Sequence, residues 1–387
     1  MRGSTERLLV SHAGVLPRPE AGEGSGTSDE AGEAALAAAV AQVVRHQVDV
    51  GIDVVNDGEL AKTGGFSGYV SARMSGIEPR ELRPGERPRS PNARDQRDFP
   101  GFYAAGLGGF GRAAPPRGRV GGSRNPWSCT GPLSYIGKAS VEADIQRLKA
   151  ATEGLDVEPF LPAVAPGTVE HWLWNEHYPD DESFLLAVAD VMHEEYRAIT
   201  DAGIILQIDD PDLPDGWQVH PEMDVPTYRA YAGLRVEALN HALRDLPMEL
   251  VRFHICWGSQ HGPHKDDIAL SDLIDLVLSV PARCYSIEGA NPTHEHEWRL
   301  WEDVELPEDK LLMPGVVGHA TDLIEHPELV SQRLTRLAKL VGRERVIAGT
   351  DCGLGYRVGH PEICWAKLES LAAGARLASR ELGFRSA

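Results

Sequence analysis

Four side chains of metal-ligand type stand at the ends of three predicted strands in the second half of the chain. His254 and Cys256 end one strand, Glu288 ends the next, and Cys352 ends the last. Residues i and i+2 of a strand point to the same face, so His254 and Cys256 can reach one ion. Two thiols, an imidazole and a carboxylate form a mixed donor set that suits Zn²⁺. Because a buried cysteine is often only a small apolar side chain, the spacing alone leaves a metal site and simple packing both open.

The elements that carry these residues form a repeating pattern. From about residue 130 onward, short β-branched runs alternate with longer amphipathic helices, which is typical of βα units around a parallel sheet. The strand candidates are 8–10, 53–55, 134–136, 160–164, 204–208, 250–254, 284–287, 311–317 and 345–348, and the clearest helices are 33–50, 183–201, 225–244 and 327–341. The fold class predicted is α/β, a (β/α)8 barrel of the TIM type, whose active sites lie at the rim where the strands end. Nine candidates exceed the eight strands of the ring; we expect the run at 134–136 to lie outside it, although the pattern does not decide which.

Residues 79–127 differ in composition from the rest of the chain. They are rich in arginine, proline and glycine and show no strand or helix pattern. A long segment of this kind in a compact fold is usually either functional or mobile. We therefore predict a single barrel domain over residues 1–387 with 79–127 as an insertion, and leave open a mobile loop, a lid over the barrel mouth and an oligomer arm.

Composition limits the partners and the compartment. The formal net charge of -20 disfavours nucleic acid and an anionic membrane surface as partners. No apolar run is long enough to span a bilayer and the N-terminus does not resemble a signal peptide, so we expect a cytoplasmic protein. The five cysteines are an odd number in a large chain, which argues against a disulfide framework. A homo-oligomer is left open.

Five segments resemble the cobalamin-independent methionine synthase superfamily, and within it most closely the epoxyalkane:coenzyme M transferase branch. They are TGPLSYIG at 130–137, HICWGS at 254–259, HGPH at 261–264, HEHEW at 294–298 and GTDCGLG at 349–355. The resemblance extends from residue 11 to nearly the C-terminus and is weakest over the insertion. It implies a (β/α)8 barrel in which Zn²⁺ is bound by His254, Cys256, Glu288 and Cys352.

The resemblance also implies a reaction, namely S-alkylation of a small thiol by an alkyl donor. A zinc-bound thiol is deprotonated at neutral pH, which yields a nucleophile without a strong base. The electrophile is a methyl donor such as 5-methyltetrahydrofolate or, as a nearly equal alternative, an epoxide opened by a thiol such as coenzyme M. Either leaving atom needs a proton from a general acid. An alternative of another class is a metal-free lyase like uroporphyrinogen decarboxylase, which predicts no need for the cysteines and a cluster of arginines, of which Arg18 is the obvious one.

Further site residues follow from the same resemblance. Asp209 and Glu59 match two acids that hold the amino group of the thiol substrate, and Asp209 is also expected to take part in catalysis. The simpler interpretation of each is a carboxylate that caps a helix. His12 matches the histidine at the end of the first strand, with substrate binding and a structural role as equal alternatives. One of His261, His264, His294 and His296 is a further candidate for the proton donor.

The sequence departs from the family pattern at two positions. Val15 stands where methionine synthases have a serine that helps to hold the carboxylate of the amino acid. This puts homocysteine as the thiol in doubt, because valine cannot form that hydrogen bond. His319 is offset by one position from the histidine of the family's proton relay, and on a strand end such a shift can turn the side chain elsewhere. We keep His319 as a catalytic candidate.

Overall fold

A computed structural model describes residues 1–19, 30–62, 65–86, 90–105, 127–258, 261–355 and 357–384. The strands in these segments are β1 (Leu9–Val10), β2 (Val54–Val55), β3 (Met74–Pro79), β4 (Trp127–Tyr135), β5 (Glu158–Val164), β6 (Leu173–Asn175), β7 (Ile205–Asp209), β8 (Val251–Ile255), β9 (Cys284–Ile287), β10 (Leu311–Val317) and β11 (Ile347–Thr350). The α-helices are α1 (Glu30–Val50), α2 (Gly65–Arg73), α3 (Ala93–Asp98), α4 (Pro100–Ala104), α5 (Lys138–Thr152), α6 (Pro166–His171), α7 (Asp181–Asp201), α8 (Asp212–Val219), α9 (Val225–Ala242), α10 (Ile274–Leu278), α11 (Pro327–Val341) and α12 (Pro361–Glu381). Among the described helices, none combines the length and the apolar composition that a bilayer crossing requires.

Eight strands form one parallel sheet in the order β1-β11-β10-β9-β8-β7-β5-β2. The two outermost strands meet through Asp53, whose backbone N–H donates to Val10 O at 2.9 Å and whose carboxylate accepts from Val10 N at 2.8 Å. Ser11 Oγ adds a hydrogen bond to Val54 O at 3.1 Å. These bonds join the first strand to the second and close the ring. The predicted (β/α)8 barrel is therefore confirmed.

A second, three-stranded sheet lies outside the ring, in the order β3-β4-β6. Strand β4 ends at Tyr135, so the run near 134–136 is the strand that the barrel does not include, as expected. Residues 79–127 connect β3 to β4, and 87–89 and 106–126 lie outside the described residues. Two short helices, α3 and α4, occur within this connection, which its composition does not indicate.

Helix α3 lies on the C-terminal end of α8, the helix that follows β7. The guanidinium of Arg94 donates to the carbonyl oxygens of Trp217, His220 and Met223 at 2.7–2.9 Å and covers the Trp217 ring at 3.3 Å. A cation is favourable there, because the last carbonyls of a helix carry partial negative charge. Part of the insertion is thereby fixed at the rim of the barrel where the strands end.

Close packing of the last two long helices gives a test of the fold. A Cβ at Gly374 of α12 would lie 2.9 Å from Pro327 O and closer still to the Val330 side chain of α11. We expect Gly374→Ala to lower the free energy of unfolding by about 1–3 kcal/mol, because the helices must separate. The matched control is Gly233→Ala in α9, where a Cβ would meet nothing within 4 Å and alanine should stabilise the helix by about 0.5–1 kcal/mol. Urea unfolding measures both, and equal effects of the two substitutions would contradict the packing.

Candidate metal centre

Three side chains meet at the ends of β8 and β11. His254, Cys256 and Cys352 each place one ligand atom within 4.8 Å of the others, and all three are buried. We call them the sulfur cluster. Their two Sγ atoms are 3.7 Å apart, close to the separation of two sulfur ligands that each lie about 2.3 Å from one tetrahedral zinc ion.

The imidazole of His254 is held in the orientation that a ligand needs. Its Nδ1 lies 3.0 Å from Ser286 Oγ on the neighbouring strand β9. Its Nε2 is buried and has no nitrogen or oxygen partner among the described residues, and the imidazole lies close enough to Cys352 for the two side chains to influence each other's pKa. Metal-bound histidines usually have one nitrogen fixed in this way while the other faces the ion. The donor set and its orientation therefore fit Zn²⁺.

The two thiols differ in pKa. A hydrogen bond from Cys256 and the positive charges of Arg357 and His254 hold the pKa of Cys352 well below its ordinary value. The same pairing raises the pKa of Cys256, with burial adding to the effect. The lowered pKa favours the thiolate form of Cys352, which is the form in which cysteine binds metals.

Glu288, the fourth expected ligand, belongs to a neighbouring cluster. Its carboxylate lies within 4.8 Å of ligand atoms of His319 and Asp351; we call these three residues the carboxylate cluster. Glu288 accepts hydrogen bonds from the backbone N–H of Trp257 at 2.8 Å and from the Asn291 amide at 3.0 Å. It is still near enough to the sulfur cluster for its charge to raise the pKa of Cys256.

Of the two predicted substrate acids, Asp209 lies next to the sulfur cluster and Glu59 lies near Asp209. Asp209 is the register partner of His254 across β7 and β8 and accepts a hydrogen bond from Gln207 at 2.7 Å. Burial raises the pKa of Asp209 to about 7, and the charge of Glu59 adds to the rise. Asp209 does not cap the helix that follows, since α8 begins after Pro211 without a side-chain cap.

Glu59 adopts a backbone conformation that is rare for a residue with a side chain. Its φ is 57°, a left-handed value that is often found at functional sites. The carboxylate packs against Gly14, where an added Cβ would lie 2.5 Å from Glu59 Oε1, and it is 3.8 Å from Lys62 Nζ. The contacts with Gly14 and Lys62 hold the Glu59 carboxylate beside the loop that follows β1.

The geometry at His12 favours a structural role. Its Nε2 lies 2.9 Å from Gln47 Oε1, and its Nδ1 accepts from Gly14 N at 3.2 Å. Burial lowers the pKa of His12 to about 4, so the ring is neutral. Both nitrogens are used within the protein, and the ring positions the loop that carries Val15.

Of the four loop histidines, His294 has the most defined environment. It is buried, its Nδ1 lies 2.8 Å from Glu297 and its Nε2 lies 3.2 Å from Asp267. Its ring stacks on Trp257 at 3.8 Å, the residue whose N–H binds Glu288. Hydrogen bonds to the two carboxylates raise the pKa of His294 to about 9 against the effect of burial. His294 is therefore a charged support for the Cys256–Trp257 segment and not a free proton donor.

This environment predicts a pH-dependent contribution to stability. The folded-state pKa of His294, about 9, exceeds its ordinary value, so its stabilisation is complete below pH about 6.5 and is lost as pH rises through about 9. We expect His294→Gln to cost about 1–3 kcal/mol at pH 7 and much less at pH 10. Urea unfolding at the two pH values measures the difference. His296→Gln, at an exposed position of the same turn, is the control; a cost for His294→Gln that does not change with pH would contradict the charged state.

The sequence interpretation missed Asp215 on α8. This residue is buried, and its carboxyl lies against Gly258, where a Cβ would be 3.0 Å from both oxygens. Burial and the charges of Asp212 and Asp267 raise the pKa of Asp215 well above its ordinary value. The raised pKa favours the protonated form of this carboxyl, which lies beside Gly258, two residues along the chain from Cys256. The sequence does not indicate a raised pKa for an aspartate within a helix, because that pKa depends on burial and on neighbouring charges.

Two similar proteins of known sequence are both methionine synthases. No family model matches the chain. It is 26% identical over 223 residues to a methionine synthase from Pyrococcus horikoshii, with 57% of each chain covered, so the match spans little more than half of that relative. To a methionine synthase from Sulfolobus acidocaldarius it is 24% identical over 357 residues, which cover 90% of this chain and 84% of the relative.

Solved structures agree on the fold. A B12-independent methionine synthase from Shewanella sp. W3-18-1, in complex with selenomethionine, superposes with a TM-score of 0.69 at 19% identity, covering 97% of this chain and 99% of that one. A putative vitamin-B12 independent methionine synthase from Listeria monocytogenes gives a TM-score of 0.63 at 16% identity, covering 96% and 98%.

Proposed function

We propose that this chain, a member of the cobalamin-independent methionine synthase superfamily, transfers a methyl group to a small thiol in a zinc-dependent reaction. The observation that carries the proposal is the sulfur cluster, with its 3.7 Å pair of sulfur atoms and the buried Nε2 of His254. The names of the relatives, all methionine synthases, support the reaction type. The similarity to the epoxyalkane branch stays a prediction.

His254, Cys256 and Cys352 would hold the zinc ion, with Glu288 as a weaker fourth ligand. When bound, zinc supplies positive charge that makes a thiol acidic, so that a thiolate nucleophile exists at neutral pH. Ser286 keeps the imidazole of His254 in place. Trp257 N–H and Asn291 keep the carboxylate of Glu288 oriented. The donors are thus fixed before the substrate arrives, which reduces the cost of reorganisation.

The residues beside the sulfur cluster favour a thiol that carries an ammonium group. Glu59 and Asp209 supply carboxylates, and the buried Oε1 of Gln207 has no hydrogen-bond partner among the described residues. The nearby cation, Lys62, donates to Pro162 O and lies against Glu59. This set suits the amino group of homocysteine better than the sulfonate of coenzyme M, because an anion would meet two carboxylates. Val15 is buried against Gly353 and has no hydroxyl with which to hold the carboxylate of an amino-acid substrate.

Proton donation is assigned to Asp215. Burial and nearby acids raise its pKa, which favours the protonated form that can give a proton to the nitrogen that leaves as the methyl group moves to sulfur. Burial lowers the pKa of His319, which favours a neutral imidazole, and His319 is retained as a residue beside Glu288 at the site. Asp209 is retained as a residue that orients the substrate amine. A metal-free lyase would give the cysteine pair no role. The arginine that this alternative pointed to, Arg18, donates a hydrogen bond to Leu60 O.

The test is an assay of product identity. The zinc-loaded protein is incubated with homocysteine or coenzyme M, each with 5-methyltetrahydrofolate labelled in the methyl group and, separately, with epoxypropane. We expect labelled methionine from homocysteine and no alkylated coenzyme M. Epoxide consumption with coenzyme M, or no methylated thiol from the zinc-loaded protein, would overturn the proposal.

A further inference from the structure

The geometry points to a second metal site at the rim of the barrel, formed by Glu288, His319 and Asp351. These residues follow β9, β10 and β11, three adjacent strands of the sheet. Each offers a ligand atom within 4.8 Å of the other two, and all three are buried. Two carboxylates and an imidazole at such distances are a ligand set for one divalent cation.

Two buried atoms of this carboxylate cluster have no partner. His319 Nδ1 and Asp351 Oδ2 make no hydrogen bond to any described residue, although His319 is only 4% exposed and Asp351 only 1%. Unsatisfied buried polar atoms are rare in folded proteins, since each costs about 1–3 kcal/mol. A bound cation would satisfy both atoms at once.

The other atoms of the cluster are held as metal ligands usually are. Asp351 Oδ1 accepts from the backbone N–H groups of Gly289 and Ala290 at 2.8 and 2.7 Å. Glu288 is held by Trp257 N–H and Asn291. Such outer hydrogen bonds fix the direction of ligating carboxylates and leave their remaining lone pairs for the ion.

Positive side chains near the cluster are already engaged. Arg333 donates to Glu295 at 2.9 Å and to Val316 O at 3.0 Å, and Arg357 donates to Gly353 O at 3.1 Å. Neither forms a salt bridge with Glu288 or Asp351 in the described part of the chain. Two buried carboxylates without an ion-pair partner are costly, which is a further reason to expect a cation.

The chemistry of the donors separates this site from the sulfur cluster. Thiolates select soft and borderline ions, whereas two carboxylates with one imidazole suit a harder ion such as Mn²⁺. Glu288 is the residue that both sites can share, and carboxylates serve in this way in two-metal centres. The site would place a second positive charge beside the thiolate, where a thiol or its alkyl donor binds.

The experiment loads the two sites in turn. The full-length protein first receives one equivalent of Cd²⁺, whose sulfur-to-metal charge-transfer absorption reports the sulfur cluster, and is then titrated with Mn²⁺ by electron paramagnetic resonance. We expect one further ion per chain. Asp351→Asn, which retains an oxygen for Gly289 and Ala290, and His319→Gln should each weaken Mn²⁺ binding at least about tenfold and leave the cadmium absorption unchanged.

The control is Asp322→Asn, since Asp322 likewise accepts a backbone N–H, that of Gly359, outside the cluster. It should bind Mn²⁺ as the wild type does. Two results overturn the proposal: no Mn²⁺ bound to the cadmium-loaded protein, or binding that both cluster variants retain while remaining folded by circular dichroism, which would indicate an adventitious ion only. Loss of the cadmium absorption in Cys352→Ala with Mn²⁺ binding kept would support a second site that is independent of the proposed zinc site.

Discussion

Cys352→Ala is expected to abolish both zinc binding and activity. The variant should contain almost no zinc, whereas we expect the wild type to bind about one ion per chain in the sulfur cluster, and kcat/KM should fall by at least about 10³-fold, or about 4 kcal/mol. The reason is that Cys352 is the thiol of the pair whose pKa is lowered, by Cys256, Arg357 and His254. Its loss removes a ligand and the negative charge that attracts the ion. Plasma emission analysis of metal content, with the product assay, measures both effects.

The matched control is Cys364→Ala. Cys364 is a fully buried cysteine of α12, where burial alone raises its pKa. Its replacement should cost about 1 kcal/mol of stability for the smaller side chain and leave zinc content and kcat/KM unchanged. If Cys352→Ala kept its zinc and its activity, the sulfur cluster would not be the catalytic metal site.

Asp215→Asn should have the second-largest effect, a fall in kcat of about 10²–10³-fold with methyltetrahydrofolate. Asparagine keeps the size of the side chain but cannot give up a proton to the leaving nitrogen. A methyl donor whose leaving group needs no proton, such as trimethylsulfonium, distinguishes proton donation by Asp215 from a role in positioning the site. With that donor, Asp215→Asn should react within a few-fold of the wild type, since positioning is unchanged.

Asp212→Asn provides the comparison within the same helix. Asp212 is also buried, and burial and the charge of Asp210 raise its pKa to about 8. Its carboxyl group faces His171 and Trp172, whereas that of Asp215 lies against Gly258. Its kcat should stay close to the wild-type value. Equal losses for both donors in Asp215→Asn would show that Asp215 positions the site and that another group supplies the proton.

The barrel could be predicted because its signals are local. Strand β9 and helix α11 have the bounds that their β-branched and 3.6-residue patterns indicate, and both patterns depend on burial of one face. Nine strand candidates for eight places indicated that one lies outside the ring, but only the structure identifies it as β4. Helices α3 and α4 could not be predicted, because α3 depends on contacts of Arg94 with α8, which lies more than a hundred residues away.

The candidate site was predicted in part. The structure brings together His254, Cys256 and Cys352, as their positions at strand ends predicted. The position of the Glu288 carboxylate depends on hydrogen bonds from Trp257 and Asn291. The roles of His12 and Asp215 depend on their surroundings, which sequence spacing does not encode. His12 uses both ring nitrogens inside the fold, and the raised pKa of Asp215 is caused mainly by burial.

X-ray absorption at the zinc edge of the purified, zinc-loaded protein tests the central claim most directly. A zinc ion in the sulfur cluster predicts two sulfur neighbours at about 2.3 Å together with nitrogen or oxygen neighbours at about 2.0–2.2 Å. Cys352→Ala, if any zinc remains bound, should show at most one sulfur neighbour. A first shell made only of nitrogen and oxygen in the wild type would contradict the account, because the metal would then be bound without Cys256 and Cys352.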